Sequence, residues 1–367
     1  MTRTNTKRFF ASDNNAGACP QAIEAIASAN ESFVAGYAED ELTQRVESHF
    51  RTIFTQDTHA TLVSTGTAAN TLAIAALTKP WMRILCAEQS HLNEDESNTP
   101  ERFTLCRATP IRPHNHESNS KLTPDLVREF GQTTRGVHQP QPGVLTISNI
   151  TEFGELYTPD EIRALADTAH SLGFAFHIDG ARFANATAAW MQRSGSSAHD
   201  AARQLSCDSG VDALSFGGTK NALLGAEAIL FFPQHDRDRH DQAIETIPFL
   251  RKSTAHLLSK HRFIAAQFDA VLADNTWTDL AHHANTTAQH LADRLRALDL
   301  EIPFSVDANA IFVRLREQTV SNLHERAHAF YPFGPPSWSL SRLMTSFATT
   351  AEHIDIFISD LEQSLGA

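Results

Sequence analysis

Hydrophobic positions along this chain fall into two rhythms. Short runs rich in Val, Ile, Leu, Phe and Ala recur at ATLVST (60–65), RILCAE (83–88), GVLTISN (143–149), FAFHID (174–179), DALSFGG (212–218) and AEAILFF (226–232). Near-continuous apolar runs of this length predict strands buried on both faces, as parallel strands are. Between them lie segments with helical spacing. In TPDEIRALADTAHSLG (158–173), Thr158 and Glu161 predict a capping box, Pro159 suits the first helical position, and Gly173 follows the end. TAANTLAIAALT (67–78) predicts a second helix with a small-residue packing face. Strands alternating with helices predict an α/β fold, with a mainly parallel central sheet covered by helices on both faces. Ligands bind such sheets beyond the carboxyl ends of the strands. Residues just after 60–65, 174–179 and 212–218 are therefore expected to converge.

The rhythm changes near residue 250. Residues 251–299 read as long, helical and histidine-rich, followed by a strand at AIFVRL (310–315), a helix (317–329), a strand near 341–347 and a final helix (351–364). The predicted organisation is an N-terminal arm (1–15), a large domain (16–250) and a smaller α+β C-terminal domain (251–367).

Composition narrows the function. A net charge of −13 argues against nucleic acid or an anionic membrane as partner, since both need a basic face. The four cysteines show no C-x-x-C pairing or metal spacing, so no metal is expected and a reducing cytoplasm is. No run approaches the ~18 apolar residues of a membrane span, and MTRTNTKRFF lacks the apolar core of a signal peptide. Most histidines, such as His114, His116, His282 and His283, sit in polar stretches and are expected at the surface.

Three stretches carry candidate chemistry. LSFGGTKNALLG (214–225) sets Lys220 among glycines and apolar residues. Its ammonium either snorkels to water, or it is a partly desolvated amine suited to Schiff-base chemistry. HIDGARFANA (177–186) ends a buried strand on Asp179. That carboxylate either caps the next turn or pairs with a cation, for example a protonated ring nitrogen. Arg182 could hold it, or offer its planar fork to a carboxylate ligand. STGTAAN (64–70) starts a helix through Gly66 and Thr67, giving either an N-capped helix or a phosphate site. It lacks the Gly-Lys-Ser/Thr ending of a P-loop. In this order, the three match the needs of pyridoxal 5′-phosphate: N–H groups for the phosphate, a carboxylate for the ring nitrogen and a lysine for the aldehyde.

With FASDNNAG (10–17), SHLNEDESNTPE (90–101), GVHQPQPGVLTISNITEFGELY (136–157), FGGTKN (216–221) and SRLMTSFATT (341–350) added, the chain resembles the threonine aldolases. These are fold-type-I pyridoxal-phosphate enzymes, and the low-specificity L-threonine aldolase branch is the most similar. The resemblance implies that Lys220 forms the Schiff base, Asp179 pairs with the ring nitrogen, Gly66 and Thr67 hold the phosphate, and His91 stacks on the ring. It further implies that Ser12, Arg182 and Arg342 grip the substrate carboxylate and that Glu96 acts beside His91. His138 is expected near the substrate's β-hydroxyl, as the base, and Tyr37 is expected to reach a neighbouring subunit's site.

The implied reaction cleaves L-threonine, L-allo-threonine and related β-hydroxy-α-amino acids to glycine and an aldehyde. The implied assembly is a homotetramer, a dimer of dimers with sites at the dimer interface. A β-eliminating lyase, aminotransferase or racemase using the same cofactor is the alternative, because reaction type is set by the site and not by the fold. Read locally, His91 and His138 are loop histidines, Arg342 a salt-bridge partner, Ser12-Asp13-Asn14 a turn and Glu94-Asp95-Glu96 a hydrated acidic run. Four places depart from the pattern: Ala38 and Ala222 stand where glycine is common, Asn15 where an aromatic is, and Ser97-Asn98-Thr99 replaces a Cys-Gly-Ala-like segment. They bear on side-chain preference.

Overall fold

In a computed structural model, which describes residues 6–31, 33–113 and 120–366, the apolar runs become one seven-stranded sheet. His114 and His116 lie outside the described residues. The strands are β1 (His59–Val63), β2 (Met82–Ala87), β3 (Arg107–Ile111), β4 (Gln141–Ser148), β5 (Ala175–Gly180), β6 (Ala213–Gly217) and β7 (Glu227–Phe231), in the spatial order β1-β7-β6-β5-β4-β2-β3. Pairing is parallel from β6 through to β3, while β7 is antiparallel to both β6 and β1. The connection from β6 to β7 is too short for a crossover helix, so it closes as a hairpin and turns β7 around. The sheet is therefore mainly parallel, with one reversed strand inside it. β3 left no apolar signal because RATPI is a half-exposed edge strand with a proline, which only an edge tolerates.

Side-chain alternation sorts the sheet into two faces. Phe176, Ile178, Leu214, Phe216 and Leu230 join a core with helices Glu41–Ile53, Pro159–Ser171, Phe183–Ser194 and Arg262–Leu272. Ala175, Ala213 and Ile229 turn the other way, onto helices Gly66–Leu77 and Arg237–Ser253. The same alternation sends His177 and Asp179 toward helix Gly66–Leu77. His177 is fully buried between the Thr146 hydroxyl (2.8 Å) and the Ser215 hydroxyl (3.0 Å), and burial pulls its pKa down to about 4. It is a neutral core histidine.

The predicted helical stretch at 251–299 is broken in the structure. Helix Arg237–Ser253 runs into it, and Arg262–Leu272 and Thr276–Arg296 follow. Arg262–Leu272 packs on Pro20–Ala29 and Glu41–Ile53, and Thr276–Arg296 on Phe183–Ser194. A second, antiparallel sheet contains β8 (Ala310–Arg314), β9 (Tyr331–Phe333) and β10 (Leu340–Met344), in the order β8-β10-β9. Its apolar face joins Leu291, Leu295 and Phe357 in a core that also takes Phe10 of the N-terminal arm. Helix Glu317–Glu325 is shorter than expected, since the chain turns at Ala327, where φ is +67°. Among the described residues, no helix is long and apolar enough to cross a membrane.

Candidate active site

The β6–β7 hairpin explains the sequence around Lys220. A Cβ on Gly217 would lie 2.3 Å from the Ala181 carbonyl oxygen, and one on Gly218 would lie 2.4 Å from that of Ala226. Only glycine permits this approach. Gly218 N–H donates to Ala226 O (3.1 Å) and Asn221 N–H to Gly218 O (2.9 Å), so residues 219–221 form a single tight turn. The Asn221 amide ties that turn to Trp277 O at 2.8 Å. Lys220 thus projects from a fixed turn into a cavity of about 250 Å³, half-buried rather than snorkelling into open solvent.

Asp179 reaches the same cavity from the end of β5, level with Ser148 and Ser215. Ala181 N–H donates to one of its oxygens (3.0 Å) and the Asn70 amide to the other (2.9 Å). Burial opposes its charge, but His91, the Ala181 N–H, Lys220 and Asn70 outweigh that, and the carboxyl is held below its ordinary pKa. It is therefore an anion at neutral pH, facing a cavity. The Asn70 amide also donates to Glu96 Oε1 at 2.9 Å, and the same oxygen lies 3.0 Å from His91 Nδ1. Glu96 is 1% exposed, and burial raises its pKa; its hydrogen bond raises that of His91 in turn. The third wall is the start of helix Gly66–Leu77, capped by the Thr65 hydroxyl accepting from Ala68 N–H (3.2 Å). The N–H groups of Gly66 and Thr67 have no intrahelical acceptor and sit at the positive end of the helix dipole.

A larger cavity of about 730 Å³ continues outward, and Asn14, His91, Glu152, Arg182 and Lys220 line both. Its far wall carries Arg342 of β10. The Arg342 Nε is buried with no hydrogen-bond partner, and the guanidinium lies 5.3 Å from the Phe333 ring centre. Burial and the charge of Arg182 both hold its pKa below the usual value. A buried guanidinium N–H without an acceptor is costly, so the position favours an anionic ligand.

Some expected residues sit elsewhere or are engaged differently. His138 is exposed in a short turn before the amino end of β4. The site lies at the other end of that strand, roughly 23 Å away at about 3.3 Å per residue. It is not brought to this chain's cavity, and His91 is the histidine found there. Arg182 is committed to Asp13, with Nε at 2.7 Å and a second nitrogen at 3.1 Å. Asp13 is only 3% exposed; burial opposes its charge, but Arg182, Lys220 and the Asn309 amide bring its pKa down to about 2. Arg182 thus anchors the N-terminal arm while still lining both cavities. Ser12 lines the outer cavity and caps the turn Asp13–Asn15. Tyr37 is exposed, with Lys252 lying over its ring at 4.9 Å, and does not line this chain's cavities.

Sequence reasoning missed Asn70, Asp13, Glu152 and Glu227. Asn70 left a signal, as the amide of an otherwise alanine-rich, buried helix. Glu152, which accepts from His91 N–H and the Ser148 hydroxyl (both 3.2 Å), left none.

The family model described as β-eliminating lyase matches residues 10–318. The chain belongs to the β-eliminating lyase family. Among curated proteins it is similar to the low-specificity L-threonine aldolase of Pseudomonas aeruginosa, at 36% identity over 99% of this chain and 100% of that one. A second low-specificity L-threonine aldolase, from a Pseudomonas species, is 33% identical over 99% of this chain and 100% of its own length. Among solved structures, a threonine aldolase from Leishmania major superposes with a TM-score of 0.86, at 23% identity, over 98% of this chain and 99% of that one. At that identity the superposition speaks for the fold alone. In this member of the family, Lys220, Asp179 and the start of helix Gly66–Leu77 meet in one cavity.

Proposed function

We propose that this protein is a pyridoxal-phosphate-dependent aldolase that cleaves L-threonine, L-allo-threonine and related β-hydroxy-α-amino acids to glycine and an aldehyde. The observation that carries this reading is the cavity where Lys220, ionised Asp179 and the free N–H groups of one helix start converge. These donors fit the cofactor. Gly66 and Thr67 would hold its phosphate, Asp179 its ring nitrogen and Lys220 its aldehyde carbon. When bound, pyridoxal phosphate supplies an electron sink for the pair released when a bond to Cα breaks. Arg342 would bind the substrate carboxylate, since its unpaired Nε points to an anion from outside the chain. Arg182 and Ser12 would shape that end of the site from the arm.

A proton must leave the β-hydroxyl for the carbon–carbon bond to break, and His91 with Glu96 is the pair placed to accept it. That assignment replaces His138. The relatives named as L-threonine aldolases, matched over nearly their full length, support this reaction over elimination, transamination or racemisation. We read the assembly as a homotetramer because the resemblance to the threonine aldolases implies one; exposed Phe33, Leu224, Tyr37 and Phe249 offer apolar side chains to such contacts. The compartment we read as cytoplasmic, from four buried cysteines that are all free.

The test is an absorbance spectrum of purified protein before and after borohydride, followed by L-threonine with glycine and acetaldehyde assays. A visible band that borohydride removes, together with acetaldehyde, supports the proposal; Lys220→Ala loses both. Ammonia and a keto acid in place of glycine would move the reading to β-elimination. Without a band after adding pyridoxal phosphate, the cofactor reading fails.

A further inference from the structure

Glu227 has no place in the mechanism above, yet its carboxyl lines the inner cavity with Gly66, Thr67 and Lys220. It is the first residue of the reversed strand β7, which brings it to the site end of the sheet, opposite Val63 of β1 and Gly217 of β6. It is 6% exposed. Gly218 N–H donates to its Oε2 at 3.0 Å. Thr219 lies beside the carboxyl and stabilises its charge, while the Thr219 hydroxyl oxygen accepts from Ala226 N–H at 3.2 Å. The carboxyl therefore grips the two residues that precede Lys220 and sits where a phosphate at the helix start would be its close neighbour.

We propose that Glu227 is a positioning residue that fastens the Lys220 turn and takes up a proton from solvent when the cofactor's phosphate enters the cavity. This rests on the pyridoxal-phosphate reading. Burial pushes the Glu227 carboxyl up to about 7, against its hydrogen bonds and the charge of Lys220. A second anion in the same enclosed space favours the protonated form further. The charged groups facing this cavity are Lys220 on the hairpin, Asp179 and Arg182 at the end of β5, His91, and Glu152 after β4. β6 and helix Gly66–Leu77 bring none. Arg251, on the helix packed against β7, reaches the Leu62 carbonyl at 3.4 Å. Of these, Lys220 is the charge that acts on Glu227.

The experiment titrates cofactor-free protein with pyridoxal phosphate from pH 6 to 9, following tryptophan fluorescence, for wild type, Glu227→Gln and Glu227→Ala. The titration of the phosphate itself is common to all three, so the ratio of Kd for wild type to Kd for Glu227→Gln reports this carboxyl together with its pairing to Lys220. The ratio is expected to be near one at pH 6 and to climb above pH 7, approaching about tenfold per pH unit for one linked proton. Calorimetry in two buffers of different ionisation enthalpy is expected to show proton uptake by wild type near pH 7.5, beyond that of Glu227→Gln. Glu227→Ala should bind weakly at every pH, and Glu227→Gln should restore binding because its amide oxygen still accepts from the turn. A flat ratio with equal proton uptake overturns the proposal while leaving the cofactor reading intact. If wild type does not bind the cofactor at all, the reading beneath it falls first.

Discussion

Replacing Asn70 with alanine removes one side chain from the centre of the site without touching any group that would meet a ligand covalently. Its amide donates two hydrogen bonds of 2.9 Å, one to Asp179 and one to Glu96. The two acceptors differ. Asp179 is ionised, and a hydrogen bond to a charged group contributes roughly 1.5–3 kcal/mol. Burial leaves Glu96 nearer neutrality, where about 1 kcal/mol is typical. Together, Asn70→Ala should cost about 3 kcal/mol of stability, less whatever an entering water restores. It also leaves the neighbouring carboxyls of Asp179 and Glu96, which with His91 lie within 4.8 Å of one another, without the amide that bridges them against their mutual repulsion. Asn70→Asp should be worse, since it sets a third carboxyl beside two. Urea unfolding of cofactor-free protein at pH 7.5 measures the first effect, and pyridoxal-phosphate titration measures the loss of a well-held Asp179. If Asn70→Ala unfolds within about 0.5 kcal/mol of wild type, the amide does not hold these carboxyls in place and the account of Asp179 is wrong.

Asp13 has a folded pKa near 2, below its ordinary 3.8, so the stability it contributes is present above about pH 4 and lost as pH falls toward 2. The difference in unfolding free energy between wild type and Asp13→Asn should therefore shrink across that window, and a constant difference would refute the pairing with Arg182. Ala38 and Ala222 both have φ of +73°, a conformation costing an L-residue about 1–2 kcal/mol against roughly 0.5–1 for glycine's extra chain entropy. Ala38→Gly should thus raise stability by about 0.5–1 kcal/mol in thermal unfolding. Ala222→Gly should be near neutral, because it also loses a buried methyl group worth about 0.8 kcal/mol. His138→Ala should leave threonine cleavage within about twofold of wild type, whereas His91→Ala should lower kcat by roughly 10²–10⁴; the reverse order would reinstate His138. Arg342→Leu should keep the visible band and raise KM for L-threonine about a hundredfold, as expected for losing one charged pair of roughly 2–3 kcal/mol.

Much of the fold was legible because buried strands carry strong local signals. The runs at 174–179 and 212–218 match β5 and β6 to within a residue at each end. Lys220, Asp179, Gly66 and Thr67 were found because each follows such a strand, and strand ends converge by topology. What stayed hidden depends on pairing. β7 looks like any apolar strand, and only the shortness of its hairpin reverses it, carrying Glu227 to the site. His138 precedes a strand and His91 follows one, and that difference in position decides which of them reaches the cavity. Arg182 read as a ligand clamp because its partner Asp13 is 169 residues away. The two alanines that stand for glycines were visible as departures, but the backbone strain at both became visible only with their dihedral angles.

The site is also assembled from unequal lengths of chain. The inner cavity draws on residues from Asn14 to Glu227, and the sheet that supports it closes by Phe231. The outer cavity needs Arg342, and the arm that carries Asp13 is held by Asn309 and, through the Phe10 carbonyl, by the Met344 N–H. Because synthesis runs from the amino end, the residues proposed to hold the cofactor are made more than a hundred residues before Arg342, but Trp277, whose carbonyl ties down the Lys220 turn, comes after them. A product ending after β7 would lack Arg342 and also Trp277 and Phe268, which complete the core beneath the Lys220 turn.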